Sequence, residues 1–186
     1  QDCVETISAF CADLEIGLLI NNAAFSFPAE FLSMKSSAIQ KQVMINVQVI
    51  ALLTHHFGSA MKQRGSGGII NVSSKTGEIA MPYFAMYSAT KAFISTLSEA
   101  LWYELKDHGV DGLALKPCQT ATECYFSQNP DRWGVRLLPV QDCSAEDFAA
   151  HGKHGGWLAS PPSRDDIDEL RSLPLETAIT PNGDGM

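Results

Sequence analysis

Residues 68–92 read GIINVSSKTGEIAMPYFAMYSATKA. Ile69, Ile70, Asn71 and Val72 follow a Gly-rich turn, Gly65-Ser66-Gly67-Gly68, and a short apolar run of this kind reads as a buried parallel strand. Ser73 and Ser74 fall where that strand ends, the edge at which open α/β sheets build their sites. Gly77 and Pro82 then break the chain. Tyr87 and Lys91 stand four residues apart at the start of a helical pattern, so both face the same way. A phenol, an ammonium one turn away and a hydroxyl at a nearby strand end are the parts of a proton-transfer site.

Outward from this stretch, helical and extended patterns alternate. Residues 2–14 place Val4, Ile7, Ala9, Phe10, Cys11 and Leu14 at near-helical spacing, and residues 16–20 (IGLLI) predict a buried strand ending in Asn21-Asn22-Ala23-Ala24. Residues 25–31 form a loop around Pro28. A long helix is expected over 37–62, carrying Ile39, Val43, Met44, Val47, Ile50, Ala51, Thr54 and Phe57. Downstream, the helix begun near Tyr87 continues through Phe93, Leu97, Leu101 and Leu105 to about residue 107, with His108-Gly109 as its stop. Residues 110–116 (VDGLALK) give the next strand. Strands near 16–20, 68–73 and 110–116 separated by helices predict an α/β fold, a parallel sheet with helices on both faces. The first strand would leave an exposed edge.

Beyond Val140 the pattern fails. Residues 151–156 (HGKHGG) and 160–163 (SPPS) are loop compositions, only 164–173 suggests a short helix, and no last strand is expected. Residues 141–186 carry nine acids against three bases. The expected organisation is therefore one domain over 1–140 and an acidic, Gly/Pro-rich, poorly ordered tail over 141–186. The net charge of −8 argues against nucleic acid, which asks for a basic face. No uninterrupted apolar run reaches the roughly 18 residues of a membrane span, and no signal peptide opens the chain. Five cysteines, an odd count without a Cys-x-x-Cys pair, read as free thiols in a reducing cytoplasm. His55 and His56 are adjacent and diverge, and His151 and His154 stand in a glycine loop without partners, so no metal site is expected.

Ser74, twelve intervening residues, Tyr87, three residues and Lys91, with INVSS and YSATKAF around them, resemble the active-site signature of the short-chain dehydrogenases/reductases. The resemblance implies a Rossmann-like, doubly wound sheet, NAD or NADP as cofactor, and interconversion of a carbonyl and an alcohol by hydride transfer. Tyr87 is then the acid/base. A free phenol has a pKa of about 10, so Lys91 and the cationic nicotinamide would favour the phenolate. Lys91 would also hold the nicotinamide ribose, and Ser74 would donate to the substrate oxygen. Asn46, between Ile45 and Val47, matches the family's fourth catalytic residue, which holds a helix bulge and binds a proton-relay water.

Asn22 and Ala23 match the family's Asn-Asn-Ala-Gly segment beside the cofactor's adenosine half, with Ala24 in place of the glycine. Pro117 and Thr122 match its Pro-Gly-x-x-x-Thr segment at the nicotinamide end, with Cys118 in place of the glycine. Tyr125, Phe126, Trp133, Leu137 and Leu138 fall where the family closes a loop over substrate. They either line an apolar pocket or pack as a surface loop. A lipid-like or aromatic ketone or alcohol is the implied substrate, and helices 37–62 and 87–107 the implied homo-oligomer interface.

The family's phosphate-binding turn, Thr-Gly-x-x-x-Gly-x-Gly, is nowhere in these 186 residues. Such glycine amides at a helix start are what grip a pyrophosphate. The resemblance covers residues 2–140 and implies an N-terminally truncated fold. Two expectations follow. The retained Ser74, Tyr87, Lys91 and Asn46 favour an oxidoreductase. The missing turn favours a catalytically silent homologue acting as a binding or dimerisation module.

Overall fold

The apolar runs become parallel strands in a computed structural model of the chain, which describes residues 3–117 and 158–159. Helix α1 (Cys3–Phe10) leads to β1 (Leu18–Asn21), about two residues later than its apolar run begins. One continuous rod follows: α2 (Ser36–Val43), a π-helical turn (Met44–Val49) and α3 (Ile50–Arg64). Then come β2 (Gly67–Val72), α4 (Ala85–Leu105), β3 (Val110–Leu115) and the two-residue β4 (Leu158–Ala159). The sheet runs β1-β2-β3-β4 with every pairing parallel, so that Ile20, Ile70 and Leu113 lie side by side.

One expectation is corrected here, that no strand follows residue 140. Leu158–Ala159 pairs with Ala114 and Leu115. Two residues carry no periodicity to read; the pairing answers the unfilled backbone groups along the outer edge of β3.

Among the described residues, both long helices pack on the same face of the sheet. A Cβ on Gly58 of α3 would lie 3.2 Å from Ile69 Cδ1. A Cβ on Gly112, the register partner of Ile69, would lie 3.3 Å from Trp102 of α4. Register partners share a face, so α3 and α4 lie side by side. The cause is topological: two right-handed crossovers that step the same way along a sheet put their helices on one side. Only a reversal of strand order sends helices to the other. Leu18 and Ile20, which point away from the helices, are accordingly 54% and 55% exposed.

The core lies between the helices and the sheet. Leu53, Phe57 and Met61 of α3 meet Ile69 of β2, Leu105 of α4 and Val110 of β3, with Ile16, Leu19 and Leu101 packed around them. Each such side chain contributes about 1.5–3 kcal/mol on burial. α3 ends at Gly65 in the left-handed conformation (φ 75°), and its Arg64 guanidinium donates to the Ile16 carbonyl at 2.9 Å. Gly109 (φ 68°) ends the 3-10 turn after α4 and abuts the Gly65 carbonyl, leaving no room for a side chain. By length and composition the rod Ser36–Arg64 could cross a membrane, which a search for an uninterrupted apolar run passes over. Its Ile50, Leu53, Phe57 and Met61 are buried.

Candidate active site

Strand β2 delivers two adjacent serines to the carboxyl edge of the sheet, and they turn opposite ways. Ser73 is buried; its hydroxyl donates to the Lys91 carbonyl at 2.7 Å and lies 2.8 Å from Ser95 Oγ. It anchors α4 to the strand end. Ser74 is half-buried and caps the 3-10 turn Lys75–Gly77, its Oγ accepting from the Thr76 backbone N–H at 3.2 Å and the Thr76 hydroxyl at 3.1 Å. That turn is pressed onto α4. A Cβ on Gly77 would fall 2.7 Å from the Lys91 carbonyl carbon and 2.8 Å from the Ala92 nitrogen.

The first turns of α4 carry Tyr87 and Lys91, as their spacing predicts. Lys91 is 2% exposed and donates from Nζ to the Val72 carbonyl at 2.7 Å. Its ammonium stands 5.5 Å from the centre of the Tyr87 ring. Burial strips water from that charge and lowers the Lys91 pKa from 10.5 to about 8. Tyr87 is half-buried, its ring edge-on to Phe84 with centroids 6.3 Å apart.

Asn46 lies in the π turn, fully buried. Its Oδ1 accepts from the Phe25 N–H at 2.8 Å, while Nδ2 donates to the Phe25 carbonyl at 2.9 Å and to Thr90 Oγ1 at 3.1 Å. Thr90 in turn donates to the Tyr87 carbonyl at 2.8 Å. One side chain thus joins the loop after β1, the helical rod and the turn that carries Tyr87. Both amide N–H groups of Asn46 are committed to these partners, so a water held here would be met by an oxygen of Asn46.

Ser74, Tyr87, Lys91 and Asn46 are therefore all brought to one end of the sheet. Pro117 joins them directly after β3, its carbonyl accepting from the Lys75 N–H at 3.4 Å. Asn22 and Ala23 follow β1 and are exposed. Thr122, Cys118 and the residues from Tyr125 to Leu138 lie outside the described residues.

Three groups escape a reading by motif. Asn21, opposite Asn71 in the register, donates to Asn71 Oδ1 at 2.7 Å and to Thr54 Oγ1 at 2.9 Å, and Asn71 donates to Ser98 Oγ at 3.0 Å. This polar line crosses the core from α3 to α4. Thr90 and Thr76 serve the site through their hydroxyls. Lys116, at the end of β3, pairs with Glu78 of the segment after Ser74 at 2.5 Å, with side chains 5% and 19% exposed. Glu78 Oε2 is buried without a hydrogen-bond partner. The adjacency of the two asparagine-bearing strand ends was a readable signal; nothing in sequence pairs residues 78 and 116.

A nicotinamide dinucleotide fits this edge in part. Lys91 spends one of its three N–H donors on Val72, which leaves donors for ribose hydroxyls, and Tyr87 and Pro117 flank the same edge. For the pyrophosphate, the described residues supply no glycine-rich turn opening a helix; Gly65, Gly67 and Gly68 lead into a strand. No cluster of metal-ligating side chains occurs among the described residues.

Comparison with known proteins places the chain in a group. Residues 1–133 match the short chain dehydrogenase family. The very-long-chain 3-oxoacyl-CoA reductase of Mus musculus is 34% identical over 134 residues, covering 70% of this chain and 43% of that protein. The chain thus spans less than half the length of that relative. A short-chain dehydrogenase from Sphingobium yanoikuyae, solved in complex with NADPH, matches with a TM-score of 0.78 at 23% identity, covering 98% of this chain and 73% of that one. A solved structure of a 7beta-hydroxysteroid dehydrogenase gives a TM-score of 0.78 at 25% identity, covering 95% and 69%.

Proposed function

The chain belongs to the short-chain dehydrogenase family, with its Rossmann-like α/β fold, and on that footing we propose that Ser74, Tyr87, Lys91 and Asn46 form an oxidoreductase site that interconverts a carbonyl and an alcohol. The observation that carries this is the buried Lys91 ammonium 5.5 Å from the Tyr87 ring, in a turn that Asn46 holds through Thr90. A positive charge beside a phenol favours its phenolate, and a free phenol, at a pKa of about 10, needs that help near neutrality. Tyr87 moves the proton at the substrate oxygen. Ser74 donates a hydrogen bond to the same oxygen and stabilises charge that develops there. Asn46 keeps the bulge and the Tyr87 turn in place.

The nicotinamide, NAD or NADP, supplies or accepts the hydride. Lys91 would hold its ribose, Pro117 and Thr122 its nicotinamide end, and Asn22 and Ala23 its adenosine half. The catalytic unit is assigned to residues 1–140. For substrate we favour a lipid-like or aromatic ketone or alcohol; the relatives named for 3-oxoacyl-CoA and for a hydroxysteroid support this class. The free thiols of Cys3 and Cys11 fit a reducing, cytoplasmic setting.

A second reading, a catalytically silent dimerisation module, draws support from the exposed apolar side chains of the two long helices: Val43, Met44, Leu52, Phe93 and Tyr103. Under either reading a homo-oligomer forms through helices 37–62 and 87–107. The two part on one assay. A panel of aliphatic, aromatic and steroid ketones is offered with NADH or NADPH to a form of the protein that binds the dinucleotide. Ketone-dependent loss of reduced nicotinamide is the expected result. Cofactor binding without turnover on any of them would leave the silent module standing.

A further inference from the structure

We propose that Thr76 is a positioning residue that fixes Ser74 as a hydrogen-bond donor, an inference that rests on the oxidoreductase reading of the site. A serine hydroxyl has one proton to give and two lone pairs to receive. Ser74 Oγ receives the Thr76 backbone N–H at 3.2 Å and the Thr76 hydroxyl at 3.1 Å. Both acceptor positions are filled from within its own turn. What remains is the proton, and it is free to point outward.

Ser73 gives the contrast. Its proton goes inward to the Lys91 carbonyl, so it has none to offer a ligand. Two adjacent serines are thereby sorted, one as an anchor and one as a donor. The sorting is held firmly, because the turn that carries Thr76 is seated on the α4 backbone at Lys91, with Gly77 in contact.

The chemical consequence is a division of labour. With its lone pairs occupied, Ser74 cannot take the proton of an alcohol; it can only donate to an oxygen that carries electron density, a carbonyl or an alkoxide. Proton removal from an alcohol, and proton delivery to an alkoxide, then fall to Tyr87 alone. Without the Thr76 hydroxyl, Ser74 would be free to rotate and accept, and its donation to the reacting oxygen would be diluted.

Thr76→Val removes the hydroxyl and keeps the branched shape. In a form of the protein that binds the dinucleotide it should lower kcat about 5- to 10-fold, the worth of one hydrogen bond, with KM changed less than about twofold. Thr76→Ser should restore the rate. In a Ser74→Ala background, Thr76→Val should cost nothing further. A rise in kcat would mean that Ser74 spends its proton on Thr76, and would overturn the proposal. So would an unchanged kcat, or an equal loss in the Ser74→Ala background. A second measurement needs no turnover: Ser74→Ala should speed amide hydrogen exchange at Thr76, and an unchanged exchange rate also overturns the proposal. Faster exchange in a protein that turns over no ketone would sink the oxidoreductase reading while the Thr76–Ser74 bond stood.

Discussion

Lys91 holds its charge in a place largely stripped of water, beside the Val72 carbonyl and the Tyr87 ring. Its folded pKa, about 8, lies below the ordinary 10.5. The unfolded chain therefore binds this proton more tightly, and the sign follows. Below pH 8 both states are protonated and the folded state bears the full cost of burying the ammonium. As pH rises from about 8 to 10.5 the folded state sheds the proton first and the cost is relieved. At 1.36 kcal/mol per unit the cost is roughly 3 kcal/mol. Lys91→Met should thus be more stable than the wild type at pH 7, by up to roughly 3 kcal/mol, and the gap should shrink at pH 10. Denaturant unfolding at the two pH values measures it; equal stabilities at pH 7 would mean that the ammonium is well solvated. That a chain of this family keeps so costly a lysine is consistent with a role for it beyond stability.

At the scale of elements, the apolar periods carried the strands and helices but not their irregularities. The rod was legible as one helix over 37–62; its π turn at Met44–Val49 could not be read from the apolar spacing, which a single widened turn leaves nearly unchanged, and a bulge at Asn46 was expected only through the family resemblance. Asn46 stood out only through family resemblance; as a residue, an amide between Ile45 and Val47 reads as ordinary. The structure shows what it does for the fold. Asn46→Ala leaves the part-buried N–H and carbonyl of Phe25 without their partner, and at about 1–3 kcal/mol for each group it should cost at most about 2–6 kcal/mol in urea unfolding. A loss under about 0.5 kcal/mol would show that water replaces the amide freely. The Glu78–Lys116 pair was illegible for a plainer reason: 38 residues separate two unremarkable charges. Glu78→Gln or Lys116→Met strands the other charge in the interior and should cost about 3–5 kcal/mol, whereas the double substitution should cost less than the single ones summed. Strict additivity in that cycle would mean that the two charges do not sense each other.

Over the whole molecule, a parallel sheet of three strands could be read from the alternation of elements, but the side on which the helices lie could not be read from any one of them. It emerges from β1, β2 and β3 stepping in one direction, and it leaves Leu18 and Ile20 on an open face. The β4 strand shows the converse, a pairing set by an edge that needed partners and not by its own two residues. Cofactor affinity is also a whole-molecule property. On the proposed reading the edge that bears Tyr87, Lys91 and Pro117 would contact one end of a dinucleotide, and the pyrophosphate calls for a row of backbone amides at a glycine-rich helix start. Calorimetric titration of residues 1–186 with NADH and NADPH should therefore be flat through the micromolar range. Saturable micromolar binding would mean that some other segment grips the pyrophosphate.

The assignment of Tyr87 as the proton-transfer group is tested most directly by its replacement with phenylalanine, which removes only the phenol oxygen and leaves the ring against Phe84. The measurement is ketone-dependent oxidation of reduced nicotinamide, made in a form of the protein that binds the dinucleotide. Acid–base catalysis by a placed side chain is worth about 10²- to 10⁴-fold, so Tyr87→Phe should lose at least about 100-fold in kcat while binding the dinucleotide as tightly as the wild type. Retention of more than about a tenth of the wild-type kcat would contradict the assignment and return the proton to another group.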